Sequence, residues 1–213
     1  MRRALAILFF CWAMLPSRVP AQVIDASTLV LDLLVDLKYS TTDNFLNKDV
    51  YGDLKSCHLQ RDAAEMLARA DKLLKAMRPD LRLLIYDCLR PVKVQRIMWQ
   101  HVKGTPQERY VANPNTRTGS IHNYGCAVDL TLADKEGKPQ DMGTPFDFFG
   151  KLAQPRHELM FRQQGKLSAR QWANRLLLRT VMVEAGFLTI ASEWWHFNCA
   201  TPGQTRKRYK KVP

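Results

Sequence analysis

Ser120-Ile121-His122-Asn123-Tyr124-Gly125-Cys126-Ala127-Val128-Asp129 sets a histidine and a carboxylate seven residues apart, with a glycine between them. Glu193-Trp194-Trp195-His196 adds a second histidine, with a carboxylate three residues before it. Two imidazoles and one carboxylate leave one position of a tetrahedral zinc ion open, which marks a catalytic zinc and not a structural one. Zinc held by His122, Asp129 and His196 would bring a water toward deprotonation near neutral pH and polarise a carbonyl. Glu193 can sit beside such an ion without ligating it, take the water's proton and pass it to a departing amine. A cation opposite the metal would stabilise the oxyanion that forms. Arg90 is the candidate for that cation, with a structural ion pair to Asp87 as the plainer reading.

The elements around these residues must bring them together. Cys126, Val128, Leu130 and Leu132 are apolar while Ala127, Asp129 and Thr131 are small or polar, the alternation of a strand with Asp129 facing a cleft. His122 and Asp129 are an odd number of residues apart, so one straight strand would send them to opposite faces. Asn123-Tyr124-Gly125 can reset the parity, because glycine accepts turn and bulge conformations. Taken alone, the stretch is equally a half-buried strand with a solvent-facing Asp and a loop histidine.

Elsewhere the pattern is clear in places. Leu59 to Met77 carries an apolar stripe of helical period, ended by Arg78-Pro79. Leu83-Leu84-Ile85-Tyr86 reads as a buried strand running into Asp87-Cys88-Leu89-Arg90-Pro91, and Pro91 opens a helix to about Val102. Ser168 is an N-cap for a helix to Ala185, with Trp172, Leu176, Thr180 and Val183 on one face and Gly186 closing it. A short strand at Phe187–Ala191 feeds Glu193 and His196. Trp194, Trp195 and Phe197 would wall the site or pack in the core. The polar, aromatic stretch from Leu37 to Gly52 reads as a long loop of the kind that often carries function.

The 213 residues suffice for one domain with a packed core. Residues 1–21 read as a secretory signal peptide: Arg2 and Arg3, an apolar run from Ala4 to Leu15, then Val19-Pro20-Ala21. The domain then spans residues 22–213 and is exported, with a periplasmic location as the expectation. Removing residues 1–21 takes away Arg2, Arg3 and Arg18 and no acid, so the formal charge falls from +12 to +9. A basic exported protein suits weak contact with envelope polyanions, although the run Arg206–Lys211 reads first as a solvated end. Cys57, Cys88, Cys126 and Cys199 could pair in three ways in an oxidising compartment, with a buried free thiol as the plainer reading of Cys126. No membrane span follows residue 21, and nothing resembles a nucleic-acid module.

Ser120-x-His122-x-x-Gly125-x-Ala127-x-Asp129 with Glu193-x-Trp195-His196 resembles the zinc D,D-peptidases of hedgehog-like fold. Within that group Asp129-Leu130-Thr131-Leu132, Tyr86-Asp87-Cys88-Leu89-Arg90-Pro91, Asp43-Asn44-Phe45 and the Asp141–Asp147 loop look most like the VanX-type D-alanyl-D-alanine dipeptidases. The resemblance spans about residues 31–197. It implies an α+β fold, an antiparallel sheet flanked by helices, and hydrolysis of the free dipeptide with one zinc ion per chain. His122, Asp129 and His196 would be ligands, Glu193 the base and Arg90 the transition-state stabiliser, with Ser120 and Asp147 holding the ends of the dipeptide. Cys88 and Cys126 depart from the family pattern without removing a catalytic group. A D,D-carboxypeptidase or peptidoglycan endopeptidase on the same scaffold is one alternative. A zinc-bearing binding module without catalysis is another, against which both Glu193 and Arg90 speak.

Overall fold

The computed structural model describes residues 22–213, so the segment read as a signal peptide lies outside the described residues. A five-stranded sheet forms the centre. Its strands are β2 (Leu34–Val35), β4 (Leu81–Asp87), β5 (Ala127–Asp134), β7 (His196–Asn198) and β6 (Leu188–Thr189), in that spatial order. Only the β2–β4 edge pair is parallel; the other neighbours are antiparallel. A small antiparallel ribbon joins β1 (Val23–Asp25) to β3 (His58–Gln60). The helices are α1 (Arg61–Met77), α2 (Val92–Val102), α3 (Glu158–Gln163), α4 (Ala169–Glu184) and α5 (Pro202–Arg208). Fold class and most elements agree with the sequence patterns, and among the described residues no helix is long and apolar enough to cross a membrane.

Sheet register explains which face carries chemistry. Leu83 lies opposite Leu132 and Ile85 opposite Leu130, and all four are buried in the main core with the apolar face of α1. Directly paired residues share a face. The other face carries Asp129 and Thr131 on β5, with Leu84 and Tyr86 on β4, and the chain between β5 and α3 covers part of it through Phe146. Both faces of β5 are therefore dry.

Three expectations change. The α1 stripe begins two residues later, because Leu59 belongs to β3, and its edge residues Leu73 and Met77 are exposed. The face chosen for α4 is not the buried one: Leu176 and Val183 are exposed, while Asn174, Arg175, Leu178, Val181 and Met182 are buried. Polar Asn174 and Arg175 turn inward because they bond backbone carbonyls of the chain lying over the sheet, Asp141 O at 2.9 Å for Asn174 and Met142 O at 2.6 Å for Arg175. The cysteines form two disulfides, Cys57–Cys88 and Cys126–Cys199, so Cys126 is not a free thiol.

Candidate metal centre and active site

His122 reaches the site from a turn and not from the strand. Residues Ile121–Tyr124 form one turn of 3-10 helix, capped by the Ser120 hydroxyl, which accepts the His122 N–H at 3.3 Å. Gly125 closes it with φ +67°, a left-handed conformation that suits glycine. A Cβ on Gly125 would also stand 3.3 Å from the backbone nitrogen of Gln60, which donates to the Gly125 carbonyl at 2.8 Å. This turn is the parity reset that the odd spacing demands. Asp129 and His196 need no such device, because they are directly paired across β5 and β7.

The three donors meet closely. His122 Nε2 is 3.1 Å from His196 Nδ1 and 3.3 Å from Asp129 Oδ1, and His196 Nδ1 is 2.9 Å from the same carboxylate oxygen. The opposite ring nitrogens are committed elsewhere. His122 Nδ1 donates to the Cys88 carbonyl at 2.7 Å, and His196 Nε2 donates to Asn198 Oδ1 at 2.9 Å. In the neutral rings, those bonds leave lone pairs on the two nitrogens that face Asp129. Two lone pairs and a carboxylate converging in a buried place repel one another unless a cation sits among them. A proton on His122 is one such cation, and a divalent metal ion is another. Burial disfavours imidazolium at His122, although Asp129 and Asp87 raise its pKa overall; burial likewise opposes ionisation of Asp129, yet the two histidines hold it far below the usual carboxylate range. The donor set and its orienting partners fit a divalent metal ion.

All seven residues singled out in the sequence line one cavity of about 230 Å³. Glu193 Oε2 is 4.0 Å from His196 Nδ1. Burial chiefly raises its pKa, with Asp129 and Asp147 adding to it against His196 and Arg90, to about 7. Arg90 satisfies both readings. Its Nε and Nη2 donate to Asp87 Oδ2, at 3.0 Å and 2.5 Å, and Nη1 donates to Gln95 Oε1 at 2.9 Å. Asp87 is itself fixed by the Cys88 N–H and the Tyr51 hydroxyl. Three of the five guanidinium N–H groups are thus engaged, which immobilises the cation and leaves two for a ligand.

Asp147 enters from the loop after β5, with φ +57°. Its Oδ2 accepts the Tyr39 hydroxyl at 2.8 Å, and burial lifts its pKa to about 7 against that bond. Of the three aromatic wall candidates only Trp195 lines the cavity. Trp194 donates to Thr144 Oγ1 at 2.8 Å, and Phe197 lies in the core.

Two residues escaped the sequence reading. Tyr39 holds Asp147 and lies under the Arg90 guanidinium, 5.2 Å from ring centroid to Cζ; nothing in the spacing of its loop distinguishes it. Asn198 orients His196, and here a signal existed, since positions two apart on a strand share a face.

Comparison with known proteins agrees with this geometry. The family Peptidase_M15, described as D-ala-D-ala dipeptidase, matches residues 20–213. A D-alanyl-D-alanine dipeptidase of Escherichia coli (strain K12) is 36% identical over 176 residues, 83% of each chain. Proteins of the same name from Synechocystis sp. (strain ATCC 27184 / PCC 6803 / Kazusa) and Enterococcus faecium are each 30% identical, covering 66% and 76% of this chain and 68% and 83% of their own. With its mixed sheet, its three converging donors and a match over nearly its full length, the chain belongs to the Peptidase_M15 family of metallopeptidases.

Proposed function

We propose that the protein hydrolyses free D-alanyl-D-alanine to two molecules of D-alanine with one zinc ion, held by His122, Asp129 and His196. The observation that carries this reading is the sharing of one small cavity by the three donors, Glu193, Arg90 and Asp147. Bound there, zinc supplies Lewis acidity, easing deprotonation of a water and polarising the scissile carbonyl. Glu193, with its pKa near 7, takes the proton of the attacking water and returns it to the departing amine. Arg90 offers its two unspent N–H groups to the oxygen that gains charge. Asp147 accepts the ammonium of the dipeptide, and the Ser120 hydroxyl helps hold its other end. A longer peptide has its amine acylated and would leave Asp147 without a charged partner, which is the source of discrimination.

Two disulfides support the exported reading, since such bonds persist in oxidising compartments. A periplasmic enzyme would meet dipeptide released from the wall. The exposed Lys207 and Lys210 are suited to weak contact with envelope polyanions.

The test is product release by the zinc-loaded protein on free D-Ala-D-Ala and on a stem pentapeptide ending in D-Ala-D-Ala. Hydrolysis of the dipeptide alone, abolished by a chelator and by Glu193→Ala, is the expected result. Pentapeptide hydrolysis would move the protein to the carboxypeptidase reading. Silence on both would leave the endopeptidase and binding-module readings.

A further inference from the structure

The basic tail is not the solvated end that its charge suggests. After α5, Tyr209 is buried, and its hydroxyl and the Arg208 guanidinium both bond Asp62 at the start of α1. Arg206 Nη1 donates to Thr118 Oγ1 at 2.6 Å, and Lys211 Nζ to Thr116 O at 3.3 Å, on the loop that leads to Ser120. Val212 then makes two backbone bonds in different directions. Its N–H donates to Asn123 O at 2.8 Å, and its carbonyl accepts the Val92 N–H at 2.9 Å.

Those partners belong to the two turns that present site residues. Asn123 follows His122, and Val92 opens α2 two residues after Arg90. The two turns also touch directly, through Arg90 N–H to His122 O at 3.1 Å and Asn123 Nδ2 to Arg90 O at 2.8 Å. Val212 is the third tie. It also satisfies the Val92 N–H, one of the first-turn donors that a helix cannot satisfy internally.

We propose that Lys210–Pro213 act as a strap that positions Arg90 against the His122 turn, with Val212 as the positioning residue. Loss of the strap frees an amide on one turn and a carbonyl on the other, and lets the Arg90 turn shift relative to the metal donors. Arg90 acts on a developing charge, so a small shift weakens the transition state more than the bound dipeptide, and a misplacement of about 1 Å can cost on the order of a hundredfold in rate. The strap works through backbone groups, so the lysine charges of the tail are not what it needs.

Three zinc-loaded variants test this: a chain ending at Tyr209, Val212→Pro, which keeps length and charge but lacks the N–H, and Lys207→Gln/Lys210→Gln. Each is assayed on D-Ala-D-Ala at a temperature where circular dichroism shows full folding, and the exchange of its Arg90 amide with solvent is followed by NMR. The first two should lose roughly tenfold in kcat with KM within about twofold, and their Arg90 amide should exchange on the order of tenfold faster while amides of β5 keep their protection. The lysine pair should match the parent in both measurements. Full kcat in the shortened chain, an unchanged Arg90 amide, a loss equally severe in the lysine variant, or exchange that rises uniformly through β5 would overturn the proposal. The kinetic arm rests on the dipeptidase reading and the exchange arm does not, so failure of one is separable from failure of the other.

Discussion

The two halves of the cavity are built in different ways. The metal-donor half hangs on the sheet: Asp129 and His196 are opposite each other in register, and His122 is tied by its ring to the Cys88 carbonyl. Each disulfide reaches this half, Cys57–Cys88 at that carbonyl and Cys126–Cys199 at the pair next to Ala127 and Asn198. The half proposed to hold the dipeptide comes from loops. Asp147 and Tyr39 lie on segments without regular strands, and the Asp147 loop is suspended from α4 by Arg175, which donates to Met142 O and, at 3.0 Å, to Leu152 O. A metal centre needs fixed distances, and the sheet and disulfides supply them. Recognition of a small peptide needs entry and release, which loops on a few anchors permit.

Breaking each half should therefore give a different signature. The largest effect is expected from His196→Ala. It should abolish zinc binding and dipeptide hydrolysis together, by more than about a thousandfold in kcat, checked by metal content and turnover of the same preparation. Asp147→Asn should leave zinc content unchanged and raise KM by roughly 10- to 100-fold, as expected for a lost charged contact. The sign of its pH dependence follows from the raised pKa. Below about pH 7 the parent's Asp147 carries a proton and cannot hold an ammonium, and Glu193 is protonated over the same range, so kcat/KM should fall steeply as pH drops; the variant should keep only the shallower limb due to Glu193. The smallest effect on chemistry is expected from Arg175→Met. It strips the loop carbonyls of their donor at a cost of about 2 kcal/mol, lowers Tm by roughly 4–8 °C, raises KM a few-fold and leaves zinc bound. If Arg175→Met lost zinc instead, the two halves would not be separable.

What could be read from the sequence divides along the same line. The alternation from Cys126 to Leu132 and the i, i+3 pair Glu193 and His196 are local signals, and they sufficed to single out side chains that the structure brings into one cavity. The pairing of Asp129 with His196 is a matter of register between distant strands, which the alternation is consistent with but does not specify. The loop half left weaker traces. Tyr39 sits in a stretch without period, and its bond to Asp147 spans 108 residues. Arg175 gave no sign of burial because a charged residue in a helical pattern reads as solvated, and its carbonyl partners together with the Glu158 carboxylate at 3.5 Å make burial tolerable. The tail misled for the same reason, since its charges hide two backbone bonds made by Val212.

The short strand β7 carries a further consequence. Three residues pair with β5, and a slip of one position would turn His196 into the core and Phe197 into the cavity. So short a ladder specifies its own alignment poorly. Cys126 and Cys199 lie one step beyond the last ladder pair, where the Cys199 N–H meets the Cys126 carbonyl at 2.7 Å. A slipped strand would present these thiols on opposite sides, beyond bonding geometry. The Cys126–Cys199 bond is therefore compatible only with the register in which Asp129 faces His196, and it pins the alignment that the short ladder alone holds weakly.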